Sequence, residues 1–138
     1  MSVQTKYIHL KTTGDADVID ITLKVQEALG GSGLDNGIVT LSVVGSTAAL
    51  TTCEFEPGLV ADLKEIFNKL IPAGHHHHDA GCQDGNGHAH LRSSLVGPSL
   101  TLPFHDRALI LGTWQQVIFI DFDNRPRERK IVVQILGE

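Results

Sequence analysis

SLTLPFHDRALILGTWQQVIFIDFDNRPRERKIVVQILGE, residues Ser99 to Glu138, decides the fold. Leu100 to Pro103, Ala108 to Leu111, Trp114 to Phe122 and Arg129 to Leu136 are rich in β-branched and aromatic residues and read as successive strands. Asp123-Asn124-Arg125-Pro126 supplies turn chemistry between the last two. Upstream, Gly97-Pro98 breaks a short helical turn over Ala89 to Leu95. Pro57 opens a helix whose apolar stripe is Leu59, Val60, Leu63, Ile66, Phe67 and Leu70, and Pro72 ends it. Gly37 to Val44 (GIVTLSVV) reads as a strand, followed by the small, hydroxyl-rich Gly45 to Thr52. Val18, Ile21, Val25 and Leu29 recur at helical spacing after an aspartate-containing turn, and Gly30-Gly31-Ser32-Gly33 closes that helix. Residues 3–12 predict a first strand. Helices early and strands in series late indicate one α+β domain over 1–138, with a mixed or antiparallel sheet and two main helices.

Composition narrows the function. Hydrophobic residues make up 41% and charged residues 20% of 138, a globular balance, and with seven aromatics the core falls to Val, Ile and Leu. A formal charge of −5 argues against a nucleic-acid surface, because phosphate neutralisation needs clustered Lys and Arg. Arg125 to Lys130 is basic but interrupted by Pro126 and Glu128. No apolar stretch approaches the ~20 residues of a membrane span, and two cysteines build no disulfide framework. The expectation is a cytoplasmic chain with reduced thiols, and no nucleic-acid or membrane partner.

The segment His75 to His90, HHHHDAGCQDGNGHAH, holds six of the eight histidines and one of the two cysteines. Imidazole and thiolate are common ligands for zinc and related ions, and this segment is too polar to be core. A purification tag would sit at a terminus, whereas this run is internal. If His88 and His90 are extended, i and i+2 point to one side and both rings can meet one ion; if a helix starts there, they diverge. His75 to His78 can supply another ligand, and Asp79, Cys82 or Asp84 a fourth. Asp84-Gly85-Asn86-Gly87 is turn chemistry, and equally a place where glycines admit a ligand that Asp84 and Asn86 orient. Glu54, beside Ser46, Thr47, Thr51 and Thr52, is a candidate acid or base, against the plain alternative of a surface glutamate. Arg92 with Ser93 and Ser94 can hold a phosphate, or simply face solvent from a helix. Trp114 reads as a core tryptophan. No hydrolase nucleophile motif or nucleotide fingerprint is present.

These motifs together resemble one family. Ser46-Thr47-Ala48-Ala49-Leu50 with Glu54, His78-Asp79, Asp84-Gly85-Asn86-Gly87, Ala89-His90, Gly97-Pro98-Ser99, Leu111-Gly112-Thr113-Trp114-Gln115-Gln116 and the closing Leu136-Gly137-Glu138 resemble the YjbQ-like family, also named secondary thiamine-phosphate synthase. The resemblance implies a sheet curling toward a sandwich, assembly as a homotrimer, and a metal-associated pocket. His90 is the implied ligand, with His78 beside it; Asp84, Asn86 and Glu54 line the pocket. His88 and Cys82 complete the candidate metal set for zinc or magnesium, and Ser46, Thr47, Arg92 and Ser93 the candidate substrate contacts. The implied reaction is transfer of a hydroxymethylpyrimidine from its pyrophosphate to a thiazole phosphate. The alternatives are a metal-dependent hydrolase of phosphorylated small molecules and a non-catalytic metal- or ligand-binding trimer. Two departures from the family pattern matter: many relatives carry His where this chain has Gly45, and relatives commonly carry Asn where it has Cys53.

Overall fold

A computed structural model describes all 138 residues. The last strand organises it. β8 (Arg127–Gly137) lies between β1 (Ser2–Thr12) and β3 (Gly37–Val43), antiparallel to both. β5 (Ser99–His105) and the two-residue β6 (Ala108–Leu109) extend this sheet in the order β1-β8-β3-β5-β6. A second sheet has the order β2-β7-β4, from Asp17–Asp20, Gln116–Asp121 and Ala48–Cys53. Every pairing is antiparallel, so the mixed alternative drops out and the sandwich expectation holds.

β7 explains why the sheets stack. Side chains alternate faces along a strand, and Val117 to Phe122 are all at most 1% exposed. Val117 and Phe119 join Val39, Leu41, Ile131, Val133 and Ile135 in the core between the sheets. Ile118, Ile120 and Phe122 face the other way, onto Ala49, Phe67 and Ala89, under two helices. These are α2 (Pro57–Leu70) and α4 (Gly87–Val96). A strand buried on both faces needs an unbroken apolar run, and VIFI supplies it.

α1 (Thr22–Gly30) buries Val25 and Leu29, with Ile21 just before it, against the inter-sheet core. The expected helix therefore starts later than Val18. Asp17–Asp20 instead forms β2, because β7 offers it a partner, and Asp20 then accepts hydrogen bonds from the Thr22 amide (2.9 Å) and hydroxyl (2.6 Å) at the helix start. α2 begins at Pro57 as expected, its first amides held by the Glu56 carboxylate. Its stripe is shallower than predicted: Phe67 is buried, whereas Ile66 and Leu70 are exposed. Gly45 to Thr52 contributes β4, which the sequence did not announce. Trp114 corrects a further expectation. It precedes β7 in a turn and is 73% exposed, not core.

Candidate metal centre

A six-residue helix, α3 (His77–Cys82), and the turn after it carry the histidine-rich segment. Side chains hold it in place. The Asp79 carboxylate accepts the Gly87 amide at 2.8 Å, pinning α3 to the start of α4. Asp84 accepts the Asn86 amide at 3.1 Å, closing the turn for which Gln83 and Gly85 take positive φ. Asn86, 4% exposed, accepts the Asn124 amide at 3.0 Å, and the Asn124 side-chain amide donates to the Asp84 carbonyl at 2.7 Å. The loop is thus clamped to the β7–β8 turn.

Clamping brings three groups together. Candidate donor atoms of His78, Asp84 and His90 all lie within 4.8 Å of one another. The His78 and His90 rings are 4.7 Å apart, tilted by 51°. His90 Nδ1 is 3.0 Å from the Ser46 carbonyl, which directs Nε2 away as a free donor. Metal-bound imidazoles commonly turn their second ring nitrogen to a carbonyl or carboxylate in this way. His78 Nδ1 sits 3.3 Å from Asp79 and 3.7 Å from Asp84. The Gly87 amide, first, and then His78 hold the Asp79 carboxyl below its ordinary pKa, so it stays ionised beside the rings. Two imidazoles and a carboxylate are the ligand types that would hold a divalent ion.

Other expected members lie elsewhere. His88 does not join His90, because the segment is helical and i, i+2 side chains diverge. It is 6% exposed, and burial followed by the Arg92 charge pushes its pKa down. Cys82 is exposed at the end of α3 and stands outside the three-residue group. Glu54 follows β4 at the end opposite Ser46. Six strand residues at about 3.3 Å each make β4 about 20 Å long, so Glu54 stands a strand's length from Ser46. It sits instead with Asp20, Leu23, Phe55, Glu56, Pro57, Trp114 and Gln116 around a cleft of ≈ 480 Å³.

The expected substrate contacts are occupied by the protein itself. Arg92 donates from Nε and Nη2 to the Ile71 carbonyl (3.0 and 2.8 Å) and from Nη2 to Asn68 (3.2 Å), closing the end of α2. The Ser93 hydroxyl donates to the Ala48 carbonyl at 2.6 Å. Thr47 donates to Asp123 at 3.0 Å and accepts from Arg129 at 2.6 Å. Ser46 is exposed and serves through its carbonyl.

Thr47 belongs to a buried charge network that the sequence reading missed. Asp121 and Asp123 have fully buried side chains. Arg129 meets Asp121 at 2.7 and 2.8 Å, and Arg127 meets Asp123 at 3.0 Å. Burial opposes ionisation of Asp123, but hydrogen bonds from Arg127, Thr47 and Asn86 outweigh it and hold its pKa low. Aspartates in a DFDNRPRER run look like turn residues; only the sheet pairing reveals them as interior. The network fixes Thr47 and therefore the Ser46 carbonyl that orients His90. It also crowds Gly45: a Cβ there would lie 2.9 Å from the Arg129 guanidinium, which takes up that space.

The fold is an antiparallel α+β sandwich with a partly exposed histidine–aspartate group at α3, α4 and the turn between them. Comparison makes this specific. The UPF0047 protein YjbQ-like family profile matches residues 6–138. A UPF0047 protein of Archaeoglobus fulgidus is 38% identical, spanning 92% of this chain and 97% of its own. YugU of Bacillus subtilis is 33% identical over 96% and 98%. Among solved structures, a YbjQ-like protein of Sulfolobus solfataricus superposes with a TM-score of 0.92 at 32% identity, covering 99% of both chains. A hypothetical protein of Aeropyrum pernix gives 0.91 at 37% identity, covering 98% and 99%. The chain belongs to the YjbQ-like UPF0047 family. No helix is long and apolar enough to cross a membrane.

Proposed function

We propose that the chain is a divalent-metal-dependent enzyme of phosphorylated small molecules. The observation that carries this is the convergence of His78, Asp84 and His90 within 4.8 Å, with His90 oriented by the Ser46 carbonyl. Two nitrogen donors favour zinc over magnesium, which prefers an all-oxygen, largely hydrated shell. A bound ion would neutralise charge on a phosphate or pyrophosphate. Asp79 holds the loop and His78 in register, and Asn86 ties both to the β7–β8 turn. The reaction that the family resemblance supports is thiamine-phosphate-synthase-like coupling, a transferase activity. Assembly as a homotrimer belongs to the same reading. In such an assembly Glu54 would approach the histidines of a neighbouring subunit, and exposed Trp114 and Phe55 beside it are suited to such a contact.

A second reading, a metal- or ligand-binding trimer without catalysis, draws on one observation. Arg129 takes up the space beside Gly45 where many relatives carry the histidine.

The test is metal content by mass spectrometry on untagged protein prepared without a nickel column, with His90→Ala alongside. Near-stoichiometric zinc that disappears in the variant is expected. Sub-stoichiometric metal unchanged by the variant would refute the centre. Assays with pyrimidine pyrophosphate, with and without thiazole phosphate, then divide the chemistry. Turnover requiring the thiazole marks coupling, turnover without it marks hydrolysis, and no turnover supports the binding trimer.

A further inference from the structure

β1 is an edge strand: β8 pairs with one side of it, and no strand pairs with the other. At 11 residues it is about twice the usual strand length. The ladder fixes which of its backbone groups face outward. In an antiparallel pair, hydrogen-bonded and non-hydrogen-bonded residues alternate. Just past β3 the Val44 amide donates to the Lys130 carbonyl at 3.2 Å, and just before it Asn36 and Glu138 exchange both bonds, at 3.1 and 3.0 Å. Even-numbered residues of β8 therefore bond to β3, and odd-numbered ones bond to their even-numbered partners in β1. The amides and carbonyls of Val3, Thr5, Tyr7, His9 and Lys11 are left facing the open edge. No backbone group of a turn or loop takes them up.

A groove of ≈ 370 Å³ lies along this edge. Lys6, Tyr7, Ile8 and His9 form one wall, and Lys24, Glu27 and Ala28 of α1 the other. No residue of β8 lines it, which places it on the open side of β1. Lys6 and Lys24 outnumber Glu27, so the groove is net positive. Lys6 shares its face of β1 with the buried Ile8 and Leu10 and is half-buried, its Nζ beside Gly31 at the end of α1. An inward lysine in the middle of an edge strand disfavours pairing with an identical strand. Two β1 strands related by a two-fold at Tyr7 would bring both Lys6 side chains to diagonal positions on one face, where like charges repel. A strand carrying carboxylates there meets the opposite situation.

We propose that the open edge of β1 takes up an extended acidic segment of a partner protein as an added strand. The free amides and carbonyls from Val3 to Lys11 supply main-chain hydrogen bonds, and Lys6 and Lys24 select carboxylates on the groove side. The inference stands whether or not metal binds at His90.

Anisotropy of a fluorescein-labelled peptide of alternating valine and glutamate, titrated with the full chain at constant ionic strength, tests it. Saturable binding is expected, with weaker binding of the same peptide carrying lysine for glutamate. Lys24→Glu, at an exposed position of α1, should weaken the glutamate peptide about threefold or more. Tyr7→Pro removes an open-edge N–H without touching the ladder to β8, and should weaken it about fivefold or more. Tyr7→Val keeps that N–H and should bind more tightly than Tyr7→Pro. No saturable binding, equal binding of the two peptides, or equal binding by Tyr7→Pro and Tyr7→Val would overturn the proposal. Self-association of the peptide-free chain that Tyr7→Pro abolishes would overturn it too, because a second copy would then occupy the edge. Should Tyr7→Pro fail to fold, Lys24→Glu and the lysine peptide keep the test intact.

Discussion

Arg129→Met removes the fork that neutralises two interior carboxylates. Arg129 makes bidentate hydrogen bonds to Asp121 at 2.7 and 2.8 Å, a third to Thr47 at 2.6 Å, and lies 3.7 Å from Asp123. Its side chain is 9% exposed, and those of both aspartates are 0% exposed. Deleting one partner of a buried pair leaves the other charge unsolvated and costs about 3–5 kcal/mol. For a chain of this length each kcal/mol moves Tm by about 2–4 °C, so a fall of roughly 6–20 °C is expected. Urea unfolding at one fixed protein concentration, followed by far-UV circular dichroism, measures the loss. Trp114 is too exposed to be a faithful fluorescence reporter of the core. Arg129→Lys retains charge without the planar fork and should fall between wild type and Met. Asp121→Asn combined with Arg129→Met should cost less than the two single changes summed, because the deletions share one interaction. A loss below about 1 kcal/mol for Arg129→Met would show that the network behaves as a solvated surface pair. The argument for an imposed Ser46 carbonyl would then fail as well.

Stability should depend on pH through the same network. Hydrogen bonds from Arg127, Thr47 and Asn86 outweigh burial and hold the Asp123 pKa down. Its contribution is therefore fully present above the ordinary carboxylate pKa, about 4, and is lost as pH falls below it. Thermal melts from pH 7 to pH 3 should show this decline, and Thr47→Val should reduce it; an identical profile in the variant would count against the assignment. Phe122→Ala should cost about 3–5 kcal/mol, since the ring is fully buried and packs edge-on to Phe67 at 4.8 Å. Chemical denaturation measures it, and a change under 1 kcal/mol would mean that the layer beneath α2 and α4 is not a packed core.

The parts of the fold legible in the sequence are those whose pattern is local. VIFI announces a strand, and Pro57 with Leu63 and Phe67 announces α2. Val18 misled because it fits a helical stripe and a strand equally; only pairing with Ile120, about a hundred positions away in sequence, decides between them. α3 carries no apolar periodicity and is held by hydrogen bonds such as that of Asp79 to Gly87, so no stripe marks it. Within the candidate site, Asp84 and His90 stood out by residue type, whereas residue type left His75 to His78 equivalent and only the family resemblance pointed to His78. His88 and Cys82 looked equivalent to them until the helices turned one inward and left the other in solvent. The Ser46 carbonyl and the Asn124 clamp were invisible, because a backbone oxygen has no residue signature and Asn124 reads as an ordinary turn residue.

β8 is the final strand of the sequence, yet it occupies the space between β1 and β3. During synthesis, both earlier strands are made long before the segment that joins them. β1 has no other partner in its sheet, so its edge stays open until Arg127 to Gly137 leaves the ribosome. Ordering thus waits on the most distant pairing in the chain, Ser2 with Gly137, a topology that favours slow closure. Nascent chains stalled before residue 127 should expose two unpaired strands to any neighbouring polypeptide.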